Sequence, residues 1–498
     1  MLKTPLALLF AVGTAYAQQP STPVSPPPGT IPSGAAPLTF PTSTPSAPTV
    51  QTPGSAPSTA QPQTTLPSMT PMGTPQPIQL PVFTPPTPSG PEQSLTLAQA
   101  EQRAVAANPQ ITAARLEALA AGQVVRETRA ADLPNIGYNL TAVTANDSAR
   151  ITAGALNNPS VYQRAGTGVS ATQLLSDFGR TRDLIRAAHL RAQASQQTQQ
   201  ATTNDITFAV DQAFYRVLAA QSILAVAQQT QATRQEAADQ IRALSQAKLK
   251  STLDLSFADV NVSQAKLLVL DARNSAASAF AVLNALLGNE DLVNYKLVNP
   301  APDDAPSLPP ANADPLVQLA LQQRPDLLSA VEQQNAARQF SEAERKLRLP
   351  TITALGATGI TPVRADQITS SWYGAVGANV SVPVFTGFLY DARYKEAALR
   401  AQAASQQVLQ LRQQVARDVR ESVLQAQSNF ERISVTQQIL SEANTSLQLS
   451  QTRYKLGISS IVELSQAQLT QTQAQIDFEK ARFDYETSLS ALRYQTGQ

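Results

Sequence analysis

WYGAVGANVSV, residues 372–382, alternates apolar with small or polar side chains along its whole length. Successive side chains of an extended chain point to opposite faces. Trp372, Val376, Ala378, Val380 and Val382 therefore share one side, and Tyr373, Gly377, Asn379 and Ser381 the other. NIGYNLTAVTA, residues 135–145, behaves alike, with Ile136, Tyr138, Leu140 and Ala142 set against Asn135, Gly137, Asn139 and Thr141. Alternation over about ten residues is what a tilted membrane-crossing strand needs. Trp372, the single Trp of the chain, stands at a strand end, where an interfacial aromatic belt would place it. Further extended segments near residues 165–175 and 351–361 make four strands per chain. Four strands cannot close a membrane barrel, and open edges are not tolerated in lipid. Strands that cross a membrane must then share one barrel with other chains; an edge-exposed sheet is the alternative.

The strands sit inside an internal repeat. NPQITAARLEALAAGQVVRETRAADLPNI (residues 108–136) returns without a gap as RPDLLSAVEQQNAARQFSEAERKLRLPTI (residues 324–352), so that Pro109 matches Pro325 and Pro134 matches Pro350. DLIRAAHLRAQAS (183–195) matches RYKEAALRAQAAS (393–405), Ala258 pairs with Ala467, and Gly288 with Gly497. Each half reads as a medium helix, two strands, a very long helix, a turn and another medium helix. The helices are expected over 95–131, 177–248 and 253–288, then over 314–347, 387–456 and 461–496.

Length decides how these helices pack. A helix of about 70 residues is roughly 105 Å long, and the two medium helices of a half add up to about that length. They can stack end to end beside the long one. In the second long helix Val423, Ala426, Phe430, Ile433, Gln437, Leu440, Asn444, Leu447, Gln451 and Tyr454 keep a three–four spacing, a narrow seam diluted by Gln and Asn. Seen alone, this seam also fits a filamentous coiled coil.

Composition removes several classes of function. With Cys 0 and His 1 there is no disulfide, no thiolate nucleophile and no zinc site built on several His or Cys ligands. His189 is read as a surface or helix-packing residue. No catalytic constellation and no cofactor motif is present. The formal net charge of +1 lacks the basic surface that nucleic-acid binding needs. Lys3, the apolar run Leu6 to Val12 and Ala15-Tyr16-Ala17 read as a cleaved secretory signal, too short to span a membrane. Residues 18–91, rich in Pro, Ser and Thr, read as a disordered or polyproline-type tether. The expected organisation is a signal at 1–17, the tether at 18–91, a first repeat at 92–298, a Pro-rich linker at 299–310 and a second repeat at 311–498.

The duplicated helices entered through Asn108-Pro109 and left through Leu133-Pro134, the strand pairs, Phe385-Thr386-Gly387-Phe388 and YKLGISSIVELSQAQ (454–468) resemble TolC-type outer-membrane efflux proteins over roughly residues 92–498. The resemblance implies a mainly α fold with a small β part, in which long helical hairpins form a periplasmic α-barrel. Three chains, with four strands each, would build one transmembrane β-barrel. It also implies a passive exit duct for efflux pumps or type I secretion. The partners would be a periplasmic adaptor, an inner-membrane transporter and outer-membrane lipid. A periplasmic coiled-coil scaffold without a pore is the competing reading.

Under this resemblance RYKLGISSIVELSQAQ (453–468) and SQAKLKSTLDLSFADV (245–260) are the periplasmic tips of the hairpins. In the family the second tip carries a Tyr, a Gly, an Arg and two acids; here Tyr454, Gly457 and Glu463 match, while Ser459 replaces the Arg and Gln466 the second acid. Asp254 of the first tip matches the acid that the Arg would contact. With Ser459 in place, no inter-helix salt bridge of these acids is expected. Asp254, Tyr454, Glu463 and Gln466 are the gate candidates; Lys250, Gly457 and Ser459 are the adaptor-contact candidates, with Lys250 read as the first-tip counterpart of Gly457. Asp254 and Glu463, each four residues before its paired alanine, either cap helices or ring a constriction that favours cations.

Overall fold

The computed structural model describes residues 89–143, 164–299, 308–360 and 371–497. The expected signal, nearly all of the tether and most of the Pro-rich linker lie outside the described residues. In chain order the elements of the first half are β1 (Ser89–Leu95), α1 (Leu97–Ala107), α2 (Pro109–Ala130), β2 (Asn135–Val143), β3 (Arg164–Ser176), α3 (Arg180–Gln246), α4 (Thr252–Leu286) and β4 (Val293–Leu297). The second half has α5 (Asp314–Gln323), α6 (Pro325–Arg345), a short 3₁₀ turn, β5 (Thr351–Ile360), β6 (Trp372–Ser381), α7 (Leu389–Lys455) and α8 (Ile461–Thr496). The fold is mainly α, and the two halves repeat each other in their long elements, whereas β1 and β4 have no counterpart among the described residues of the second half.

Each entry helix is broken where a single helix was expected. Proline lacks an N–H and pushes the residue before it into extended conformation. Asn108 (φ −68°, ψ 125°) and Arg324 (φ −63°, ψ 120°) are extended accordingly, so α1 ends before α2 and α5 before α6. The break lets α2 abut the end of α4, and α6 the end of α8. Asn108 Nδ2 donates to the carbonyl of Leu286 at 3.0 Å, and Arg324 Nη1 donates to Gln495 Oε1. Gly288 and Gly497, equivalent in the repeat, turn the chain at these junctions with φ of +77° and +81°. The helical layer is therefore built from α3 and α7, each flanked by stacked shorter helices.

β1 and β4 form a parallel pair, with Leu95 beside Leu297. β1 begins at Ser89, inside the segment read as tether. Neither strand was expected: β1 lacks alternation, and β4 alternates over only five residues, Val293 to Leu297. They join α1, α3 and α4 in the largest apolar cluster, around Leu95, Val210, Phe214, Leu283 and Tyr295.

β2, β3, β5 and β6 form one antiparallel sheet in that order, with β2 and β6 at its edges. Register aligns Ile136, Ala171, Gly356 and Val376 in one row, and Leu140, Thr167, Ile360 and Trp372 in another. The apolar alternation of separate strands thus merges into one face, where Leu140 is 74 % and Val376 94 % exposed. On the opposite face the Tyr373 hydroxyl lies over Gly168 and Gly359, where a Cβ would approach it to 2.4 and 2.6 Å. Trp372 opens β6 at the end of the sheet away from α6 and α7, paired with Ile360.

Candidate functional site at the hairpin tips

The two tips have the same backbone. α3 closes with Lys248 N–H to the Ser245 carbonyl (3.0 Å) and Leu249 N–H to the Leu244 carbonyl (2.9 Å). α7 closes with Gly457 N–H to the Tyr454 carbonyl (3.1 Å) and Ile458 N–H to the Arg453 carbonyl (3.0 Å). This is the left-handed cap that ends many helices, with φ of +60° at Lys248 and +76° at Gly457. Lys248, and not Lys250, is therefore the counterpart of Gly457. Lys250 occupies the place of Ser459. The equivalence was hidden because the first tip uses a lysine where glycine normally stands.

A serine restarts each helix. Ser251 Oγ accepts from Leu253 N–H at 3.1 Å, and Ser460 Oγ from Glu463 N–H at 3.3 Å. Asp254 and Glu463 lie three residues further on, in the first turns of α4 and α8. Both are half-buried, and the unsatisfied N–H groups at a helix start favour a carboxylate there. Glu463 also carries an ion pair that was not expected: Arg453, in the last turn of α7, places Nη1 3.6 Å from its Oε1. This pair links α7 to α8 within the second hairpin and does not reach Asp254 of the first. Both side chains are about half exposed, which keeps its contribution small.

Tyr454 is the centre of the site. It is 7 % exposed and packs with Ala238 and Ile241 of α3, Ala258 and Val262 of α4, and Ile461 and Leu464 of α8. Lys250 lays its Nζ 4.0 Å from the centre of the Tyr454 ring, tying the first tip to the second hairpin. The hydroxyl is buried without a hydrogen-bond partner. Burial, and then the charge of Asp254, push its pKa above the ordinary tyrosine value. Around this core Asn261 Nδ2 donates to Ser465 Oγ at 2.7 Å between hairpins, and Arg242 pairs with Asp259 at 2.8 Å within the first.

The structure thus brings Asp254, Tyr454 and Lys250 together across the hairpins, and Glu463 with Arg453. Ser459 is half-buried and Gln466 exposed, and neither belongs to this cluster. The expected seam on α7 shifts near the tip: Ala443 and Ser450 are buried, while Gln437 and Asn444 are exposed. Arg453 and Lys250 were missed as tip partners. Arg453 could have been found by its place one helical turn before the cap, whereas nothing local marks Lys250. Among the described residues no group of His, Cys, Asp and Glu is arranged to hold a metal ion. No helix among them is long and apolar enough to cross a membrane.

At the opposite end of the long helices another cluster joins sheet to helices. Asp183 of α3 is buried and meets Lys346 Nζ at 2.6 Å, and the same Nζ donates to the Gly179 carbonyl at 3.3 Å. Glu344 of α6, also buried, lies 3.7 Å from Arg180 and 3.9 Å from Arg393 of α7.

The profile of the outer membrane efflux protein family matches residues 100–289 and 316–498. The outer membrane protein TolC of Escherichia coli (strain K12) is 23% identical over 421 residues, spanning 79% of this chain and 80% of its own. The alkaline protease secretion protein AprF of Pseudomonas aeruginosa is 24% identical over 243 residues, 48% of this chain and 49% of its own. Among solved structures, that of CusC superposes with a TM-score of 0.72 at 20% identity, covering 84% of this chain and 99% of that one.

Proposed function

The chain belongs to the outer membrane efflux protein family, and from that premise we propose that it is the exit duct of a tripartite efflux pump or type I secretion system. It is a passive conduit: the long helices form a periplasmic tube and the sheet forms part of a β-barrel in the outer membrane. One observation carries this reading. A single apolar face runs across β2, β3, β5 and β6, and among the described residues both edges of that sheet lack a partner strand. Unpaired edges are not tolerated in lipid, so β6 of one copy must meet β2 of the next.

Three copies give a closed barrel of about twelve strands, within the range of membrane barrels. Trp372 then sits at the outer interface. The hairpin tips reach the periplasmic adaptor and, through it, the inner-membrane transporter. Residues 1–17 act as export signal and the Pro-rich segment to residue 91 as a tether that the pore does not need.

Mass determination in detergent, combined with outer-membrane fractionation and heat-modified gel mobility, tests the reading. A trimer in the outer membrane whose mobility changes on heating is expected. A stable monomer in the soluble periplasmic fraction would instead establish a coiled-coil scaffold without a pore.

A further inference from the structure

Away from the tips and the sheet, the largest apolar cluster contains two carboxyl groups. Asp211 lies on α3 between Val210 and Phe214, at 6 % exposure, and its Oδ1 has no hydrogen-bond partner. The group facing it is the carboxyl of Glu101 on α1. They are this close because α1 approaches α3 through small residues: Ala100 and Ala104, which flank Glu101, are fully buried. α8 supplies the rest of the surroundings, with Ser490 at 2 % exposure and its Oγ unpartnered, the Arg493 guanidinium, and Glu486 nearby. Tyr215 completes the set from α3 itself.

The charge balance of this cluster does not close with both acids ionised. Arg493 faces Asp211 and Glu486, and Arg482 faces Glu486 as well, so among the described residues two guanidinium groups stand against three carboxyl groups. Two carboxylates sharing a desolvated site cannot both ionise at moderate cost, and one proton held between them removes the repulsion and supplies the missing hydrogen bond. We propose that α1 is a proton-dependent clasp, docked on α3 while Asp211 holds a proton and loosened when that proton is lost and its carboxylate faces Glu101. Burial, followed by the neighbouring Glu101, raises the Asp211 pKa to about 7, so the loss falls near neutrality. The sign follows from linkage: once α1 leaves, Asp211 is solvated and returns to its ordinary low value, so docking takes up a proton and rising pH disfavours it. The clasp controls how firmly α1 and the adjoining β1 are held against the long helices. It is independent of whether the chain forms a duct.

Hydrogen–deuterium exchange of the full chain in detergent, followed on residues 97–107 between about pH 5.5 and about pH 8.5 and corrected for intrinsic exchange, tests this proposal. Wild type should lose protection there by about tenfold or more as the pH rises, with α3 around residue 226 unchanged. Asp211→Asn should make the protection of α1 independent of pH. Glu101→Gln, at a half-buried position that folds readily, should do the same and decides the matter if the buried variant fails to fold. Constant protection of α1 in wild type, or an unchanged pH dependence in Glu101→Gln, overturns the proposal.

Discussion

Lys250, in the turn between α3 and α4, holds its ammonium 4.0 Å from the ring centre of Tyr454, the residue that closes α7. This contact fastens one hairpin to the other at the tips. A cation over an aromatic face contributes about 0.5–2 kcal/mol, more as the pair is desolvated. In a double-mutant cycle of Lys250→Met and Tyr454→Leu, read by denaturant unfolding, the coupling should fall in that range. Lys250→Arg should retain it, and Lys250→Met should raise single-channel conductance by loosening the tip. Additive effects of the two substitutions would show that the lysine merely rests on the ring.

The left-handed residues of the tips give a second prediction. No atom lies within 4 Å of a Cβ built on Gly457, so only its φ of +76° opposes a side chain. Gly457→Ala should cost about 1 kcal/mol, the left-handed strain less the backbone entropy that glycine loses on folding. Lys248→Gly reverses the exchange at φ +60° and should be neutral or stabilising by up to about 1 kcal/mol. Thermal unfolding of the two variants should move in opposite directions. Equal destabilisation by both would mean that the tips are held by their side chains and not by this backbone turn.

At the junction between sheet and helices, Asp183 is the buried partner of Lys346. Removing one member of a buried pair leaves the other uncompensated, at a cost of about 3–5 kcal/mol when both are enclosed. Lys346 is about one-quarter exposed, so Asp183→Ala should cost about 2 kcal/mol, since water recovers part of the ammonium. The double variant with Lys346→Met should recover much of the loss. Asp183 Oδ1 also lies 3.6 Å from Arg186 Nη1, and a double variant less stable than the single one would place the role of Asp183 in that contact instead.

In the proposed duct Asp254 and Glu463 would face the narrow end of the tube, and three copies would gather six such carboxylates. Replacing them by Asn and Gln should weaken cation preference in single-channel recordings, because like charges around a confined lumen focus the field. Glu463→Gln also breaks the pair with Arg453, so it should loosen the tip slightly, by less than about 1 kcal/mol. Asp254→Asn alone should shift selectivity without this loosening. A reversal potential that stays the same in the double variant would assign both acids to helix capping.

Local patterns in the chain carried most of the architecture. Alternation in 372–382 located β6, and the ends of the long helices differ from expectation by only a few residues. The breaks in the entry helices were missed, although Pro109 and Pro325 mark them by a local steric rule. At the tips, Tyr454, Asp254 and Glu463 stood out through the repeat and the resemblance, whereas the role of Lys248 was disguised by its side chain. Backbone conformation, not residue type, marks that position.

The sequence by itself determined the elements of this protein and its duplication, because helix and strand periods and proline positions act over a few residues. Only the tertiary structure decided which charged groups meet. Lys250 finds Tyr454, Asp183 finds Lys346, and Glu101 finds Asp211, each pair brought together from separate helices. The parallel pairing of β1 with β4 belongs to the same class. No short-range pattern encodes such partners, since they are set by how the stacked helices lie along α3 and α7 and by which positions that packing removes from water.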